Sequence, residues 1–105
     1  MVVERKVEPV KVNSLGELIE LPVGSLVIAN GREVCYTGQS KIFKGGVSFS
    51  RPERGNILTD YKSPERLSFN NGEVTFTQNV HSVDDGRGVD YDETLGYLRE
   101  AGLIE

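Results

Sequence analysis

Cys35 and His81 are the only cysteine and histidine in this 105-residue chain, and a thiol beside an imidazole is a short route to nucleophilic catalysis. The pair needs closeness in space only. Cys35, however, sits in the apolar run Val34-Cys35-Tyr36, where a thiol packs as a small inert hydrophobe, so two unrelated structural residues are expected. One cysteine and one histidine also fall short of the usual zinc ligand set. Asp84, Asp85, Asp90, Asp92 and Glu93 invite a calcium reading. An EF-hand loop needs glycine at its sixth position and glutamate at its twelfth, and counting from Asp84 these are Val89 and Leu95. Helix capping accounts for Asp90, Asp92 and Glu93 without a metal. Asp60, Glu65 and Asp84 show no spacing that marks an acid–base pair. No enzyme, metal or cofactor is expected.

Gly38 and the pair Gly45-Gly46 flank Lys41 and Lys44, yet no G-x-x-x-x-G-K-[ST] loop leads into a helix, so these glycines read as turns. Tyr36, Lys41, Phe43 and Lys44, followed by Arg51 and Arg54, interleave rings with cations as a single-strand-binding surface does. The whole chain is acidic, with net charge -4, which weighs against nucleic acid. The charge is uneven: residues 1–31 carry -1, residues 32–66 carry +3 and residues 67–105 carry -6. A basic middle and an acidic end offer different faces to different partners.

These residues need elements to hold them. In residues 1–12, Val2, Val3, Val7, Val10 and Val12 alternate with charges around Pro9, which suits an edge strand or an arm. Ser14-Leu15-Gly16-Glu17 has the form of a capping box, and a short helix should follow with Leu15, Leu18 and Ile19 on one face, ending by Leu21. Leu26–Ala29, Asn30-Gly31 and Arg32–Thr37 predict a hairpin on a type I′ turn. Strand parity puts Leu26 and Ile28 on one face, with Val34 and Tyr36 meeting them across the turn and Cys35 on the other side. Lys41–Phe43 and Val47–Ser50 suggest a second hairpin across Gly45-Gly46.

Residues 51–63 are polar and include Pro52, Gly55 and Asn56, which predicts a long loop with a short extended piece. Ser63-Pro64-Glu65-Arg66 predicts a single helical turn before Asn70-Asn71-Gly72. Glu73–Thr77 alternates as a strand with Val74 and Phe76 on one face, and Asn79–Val83 extends it or forms another. A last helix should begin near Asp90, with Tyr91, Leu95 and Leu98 as its apolar stripe and Gly102 as its stop.

Two helices and five to seven short, closely spaced strands give a single α+β domain over residues 1–105, built on a small twisted antiparallel sheet or open β-barrel. With 37% hydrophobic residues the chain supports one core, and no apolar run approaches the roughly 20 residues of a spanning helix. The charged residues 4–11 do not read as a signal peptide, so a cytoplasmic protein without a membrane partner is expected.

Leu21-Pro22-Val23-Gly24-Ser25-Leu26-Val27-Ile28, the hairpin after it, Ser63–Leu67 and Glu73–Phe76 resemble small actinobacterial and actinophage proteins with an LPVGS-V-type entry. Tyr36 stands alone where those proteins commonly carry an aromatic pair. The resemblance spans residues 14–77 and implies no catalytic residue; it implies a phage or mobile-element accessory protein that binds a host or virion protein.

The sequence is therefore read as a non-enzymatic protein-binding module, a phage-encoded accessory or inhibitor in outline. Its expected contacts are Tyr36, Phe43, Phe49, Arg51, Arg54 and Tyr61, mostly in a loop-rich segment over 41–61. The rival reading is a nucleic-acid-binding accessory factor using Lys41, Lys44, Arg51 and Arg54.

Overall fold

Asn30 and Gly31 adopt φ values of 52° and 76°, the left-handed pair that a type I′ turn demands, and they fold β1 (Leu26–Ala29) back onto β2 (Arg32–Gln39). The computed structural model containing this hairpin describes residues 7–40, 44–53, 56–77, 82–84 and 91–104. A two-residue turn sets Ala29 opposite Arg32, which in turn sets Val27 opposite Val34 and Leu26 opposite Cys35. Opposed residues share a face. Val34 and Tyr36 therefore join Val27 and Ala29, and Leu26 meets Cys35, which reverses the pairing expected from strand parity. Parity within each strand was right; the turn fixes the relation between them. A Cβ added at Gly31 would meet nothing within 4 Å, so Gly31→Val isolates the backbone requirement. It should cost at least ~1 kcal/mol, read as a lowered urea midpoint with an unchanged slope.

The same device recurs at Asn71 and Gly72, whose φ values of 54° and 80° join β5 (Leu67–Asn70) to β6 (Glu73–Phe76). Before β5, Pro64–Arg66 form the expected single turn, of 3-10 type. With β3 (Val47–Glu53), β4 (Asn56–Lys62) and β7 (Ser82–Asp84) the strands make one open sheet in the order β5-β6-β1-β2-β3-β4-β7. Every junction is antiparallel except β1 with β6, which run parallel at Ala29 and Val74. The α+β class and the unclosed sheet agree with the sequence reading. The parallel junction needs no helical crossover, because the intervening hairpins bring β6 back beside β1.

Residues 51–62 are not the expected loop. β3 and β4 pair from Val47 opposite Lys62 to Glu53 opposite Asn56. Polar residues occupy buried strand positions here because they satisfy one another. Ser50 Oγ and Thr59 Oγ1 lie 3.2 Å apart, and Ser48 Oγ lies 2.7 Å from Thr37 Oγ1. Pro52 is tolerated beyond the last pair of the β2–β3 ladder, Cys35 with Ser50. That ladder slips by one residue between Tyr36 and Gln39, at a bulge where Gly38 takes φ of 99°. Val47–Ser50 forms a strand as expected; its proposed partner Lys41–Phe43 lies outside the described residues.

The sheet is covered on both faces. Helix α1 (Leu15–Ile19) starts at Ser14, whose Oγ accepts from Glu17 N–H at 3.1 Å while Glu17 Oε1 accepts from Asn13 N–H at 3.0 Å. It buries Leu18 against Val12, Val27, Ala29, Val34, Tyr36, Val47, Phe49 and Val74. Ile19, expected on the same face, is 39% exposed, since a helix of five residues has room to press only one turn onto the sheet. Val10 N–H donates to Leu26 O and Val12 N–H to Gly72 O, so residues 7–13 are an arm laid along the sheet.

Helix α2 (Tyr91–Ala101) covers the other face and buries Leu98 and Ala101 with Leu26, Cys35 and Ile57. Burying one such leucine contributes roughly 1.5–3 kcal/mol. The helix stops as expected: Gly102 takes φ of 81°, its N–H donates to Arg99 O, and Leu103 N–H reaches back to Leu98 O at 2.9 Å.

Candidate functional site

Three of the four rings chosen from the sequence are interior. Tyr36, Phe49 and Tyr61 are 1%, 0% and 2% exposed, respectively, and none presents an anchor to a partner. Tyr36 lies opposite Phe49 with ring centroids 6.1 Å apart, and Phe49 stacks on Phe76 at 5.8 Å. Burial raises the hydroxyl pKa of both Tyr36 and Tyr61. Phe43, Lys41 and Arg54 fall outside the described residues, and Lys44 is exposed. Arg51 is held inward, its Nε donating to Asp60 Oδ2 at 3.0 Å. The described part of the segment, 44–53 and 56–61, thus supplies sheet strands and core, and Phe49 and Tyr61 owe their place in it to burial.

Sheet register gathers the charges of this segment. Arg51 on β3, and Asp60 and Lys62 on β4, point to the α1 side, because the residues opposite them, Leu58, Phe49 and Val47, alternate with the hydroxyl pairs of the other face. Asp60 and Lys62 are 4% and 1% exposed, and Lys62 Nζ stands 4.5 Å over the Phe76 ring. Burial lowers the Lys62 pKa, the Asp60 carboxylate pulls it back up, and Arg51 and Arg66 push it further down. Beside them a cavity of about 20 Å³ is lined by Asn30, Arg32, Arg51, Asp60 and Phe76 among others, room for one water-sized occupant. Asn30 does more than turn the chain. Its Oδ1 accepts from Phe76 N–H at 2.9 Å and its Nδ2 donates to Phe76 O at 3.1 Å, which ties β6 to the first hairpin.

These bonds decide which way the edge strand points. Val74 O accepts from Asn30 N–H, so the main-chain groups of Val74 and Phe76 are directed toward β1 and away from β5. Their partners across the ladder are Phe69 and Leu67. In an antiparallel pair of this kind both residues turn away from the ladder, so Leu67 C=O and the N–H and C=O of Phe69 face the outer edge of β5, while Leu67 N–H donates to Pro64 O in the preceding 3-10 turn; among the described residues β5 pairs only with β6. On the face away from α1, Ser68 lies opposite Thr75. A shallow groove of about 210 Å³ opens there, lined by Arg66, Ser68, Thr75, Phe76 and Thr77. Sequence reading missed this edge, although Asn71-Gly72 repeats the dipeptide that revealed the first hairpin.

Cys35 is fully buried, and burial pushes its thiol up to about 11. His81 lies outside the described residues. An alkylating reagent should label Cys35 slowly in the native protein and rapidly once it is unfolded; fast native labelling would contradict its burial. The shift also predicts a pH dependence. A group whose folded pKa is raised keeps its stabilising contribution below the unfolded value of 9.0 and loses it as pH rises toward about 11. The melting temperature should fall across that window, and Cys35→Ala should flatten part of the fall.

Of the acidic run, Asp92 and Glu93 are exposed in the first turn of α2, Asp84 belongs to β7, and Asp85 and Asp90 lie outside the described residues. Among the described residues no three His, Cys, Asp or Glu side chains form a metal-ligating group, and no helix is long and apolar enough to cross a membrane. No protein-family model, curated protein or solved structure matches the chain.

Proposed function

We propose that this chain is a small non-enzymatic protein-binding module whose docking element is the open edge at β5. The observation that carries this reading is the outward Leu67 C=O and Phe69 N–H and C=O on the strand that ends the sheet among the described residues, a template on which an extended segment of another protein can add a strand. The resemblance to actinobacterial and phage proteins favours a host or virion protein as the partner, an accessory or inhibitory role, and a cytoplasmic setting. The contact surface is thereby moved from the 41–61 segment, whose described rings are buried, to the opposite side of the sheet.

One observation favours the nucleic-acid reading as a second choice. Arg32, Arg51 and Lys62 surround a partly exposed Phe76 on one sheet face, with Asp60 as the only carboxylate lining the cavity there. Capture from host lysate with and without nuclease separates the two. A protein retained equally under both conditions, and little affected by salt, supports the protein-binding reading. Retention that vanishes with nuclease and falls steeply with rising salt supports the nucleic-acid reading instead.

A further inference from the structure

We infer that the β5 edge selects an extended segment bearing an acidic side chain, which Arg66 and the hydroxyls beside it receive in the groove. This rests on the strand-addition reading above and names the chemistry of the partner. Strand addition has two parts: main-chain bonds that hold any extended peptide, and side-chain pockets at alternate positions that select one. At β5 both occur together. Leu67 C=O and Phe69 N–H and C=O are directed outward, and Ser68 between them faces the groove.

A strand bonded to Leu67 and Phe69 would place the residue opposite Ser68 on the same face as Ser68, with its Cβ about 4.5–5.5 Å away. Its side chain enters a groove that holds one guanidinium, from Arg66, and three hydroxyls, from Ser68, Thr75 and Thr77, with no carboxylate in the lining. Guanidinium and hydroxyl donors suit a carboxylate, and the groove volume of about 210 Å³ accommodates an aspartate or glutamate side chain. The buried ammonium of Lys62, close enough to feel Arg66, adds positive potential on the other side of the strand. A lysine or arginine entering the groove would meet these charges as repulsion.

The test uses the full chain and three capped eight-residue peptides of alternating threonine and valine, with a central glutamate, glutamine or lysine. Amide shifts and titration affinity are recorded for each. The glutamate peptide should bind at least tenfold more tightly than the glutamine peptide, with the largest shift at Phe69. Arg66→Gln, at an exposed position, should abolish that difference while the spectrum stays folded. Equal affinity of all three peptides with shifts at β5 overturns the acidic preference and leaves strand addition standing. Absence of β5 shifts with every peptide overturns this inference, and nuclease-resistant capture of a protein would then show that protein binding itself survives at another surface.

Discussion

Asp60→Ala should destabilise the protein by about 3–5 kcal/mol, the largest loss expected from any single polar substitution. The carboxylate is nearly buried, accepts from Arg51 Nε at 3.0 Å, and supports the ammonium of Lys62, itself 1% exposed. Removing it leaves two cations side by side in a setting that water scarcely reaches. Lys62→Met is the informative contrast. Methionine keeps the stem against Phe76 and deletes the buried charge, so stability should change by less than about 1.5 kcal/mol or rise. The pH dependence has a defined sign as well. A lysine whose folded pKa is lowered disfavours folding below that pKa, and the penalty is relieved as pH climbs toward the unfolded value of 10.5. Lys62→Met should therefore remove a contribution that rises with pH, opposite in sign to that of Cys35. Urea midpoints for both variants decide the matter; an Asp60→Ala loss below about 1 kcal/mol would mean that solvent screens the cluster.

The second large effect is expected at Gly24. Its φ is 96°, and a Cβ there would stand 2.7 Å from Tyr97 Cδ1, within a ring that packs α2 onto the sheet. Gly24→Ala thus combines a left-handed backbone penalty of about 1–2 kcal/mol with overpacking of about 1–3 kcal/mol. A total of about 2–5 kcal/mol should follow. The Gly24 N–H also donates to Tyr36 O at 2.7 Å, so the chain cannot swing away without losing a bond at the sheet. Tyr97→Ala in the Gly24→Ala background should cost much less than in the wild type, because it relieves the clash. Gly96 on α2 is the matched control: a Cβ there meets nothing within 4 Å, and Gly96→Ala should stabilise the helix by about 0.5–1 kcal/mol. Equal effects at Gly24 and Gly96 would contradict the helix–sheet contact.

What the sequence disclosed depended on whether the deciding physics was local. The capping box at Ser14 and Glu17, the turn at Asn30-Gly31 and the stop at Gly102 act within a few residues, and each is read correctly from its neighbours. β4 and the end of β3 beyond Ser50 escaped because polar residues at this junction are satisfied by partners nine positions away: Ser50 with Thr59 and Arg51 with Asp60. A local reading prices such residues as solvated, and so took the strands for a loop. The same error misplaced the candidate site. Tyr61 looks like an anchor while 51–63 is read as a loop, and Tyr36 and Phe49, on expected strands, look like anchors beside it; all three become core once β3 and β4 complete the sheet. β5 was legible in principle, since Asn71-Gly72 announces a hairpin and Leu67-Ser68-Phe69-Asn70 alternates apolar with polar, but the strand has only four residues and follows directly on the helix-start pattern Ser63–Arg66. The outward direction of Phe69 is fixed beyond its own neighbourhood as well, by Asn30 N–H on Val74 O and by the Asn30 side chain, which reaches Phe76 across 46 residues.

Amide hydrogen exchange on the chain alone and in complex with a captured protein partner tests the docking element most directly. If the partner adds a strand at β5, the amide of Phe69, which points outward in the free chain, should exchange at least tenfold more slowly in the complex, whereas that of Leu67, already donating to Pro64 O, should change little. Those of Ser68 and Asn70, already directed at β6, should change little. Unchanged exchange at Phe69, with protection appearing elsewhere in the bound chain, would contradict β5 as the docking edge.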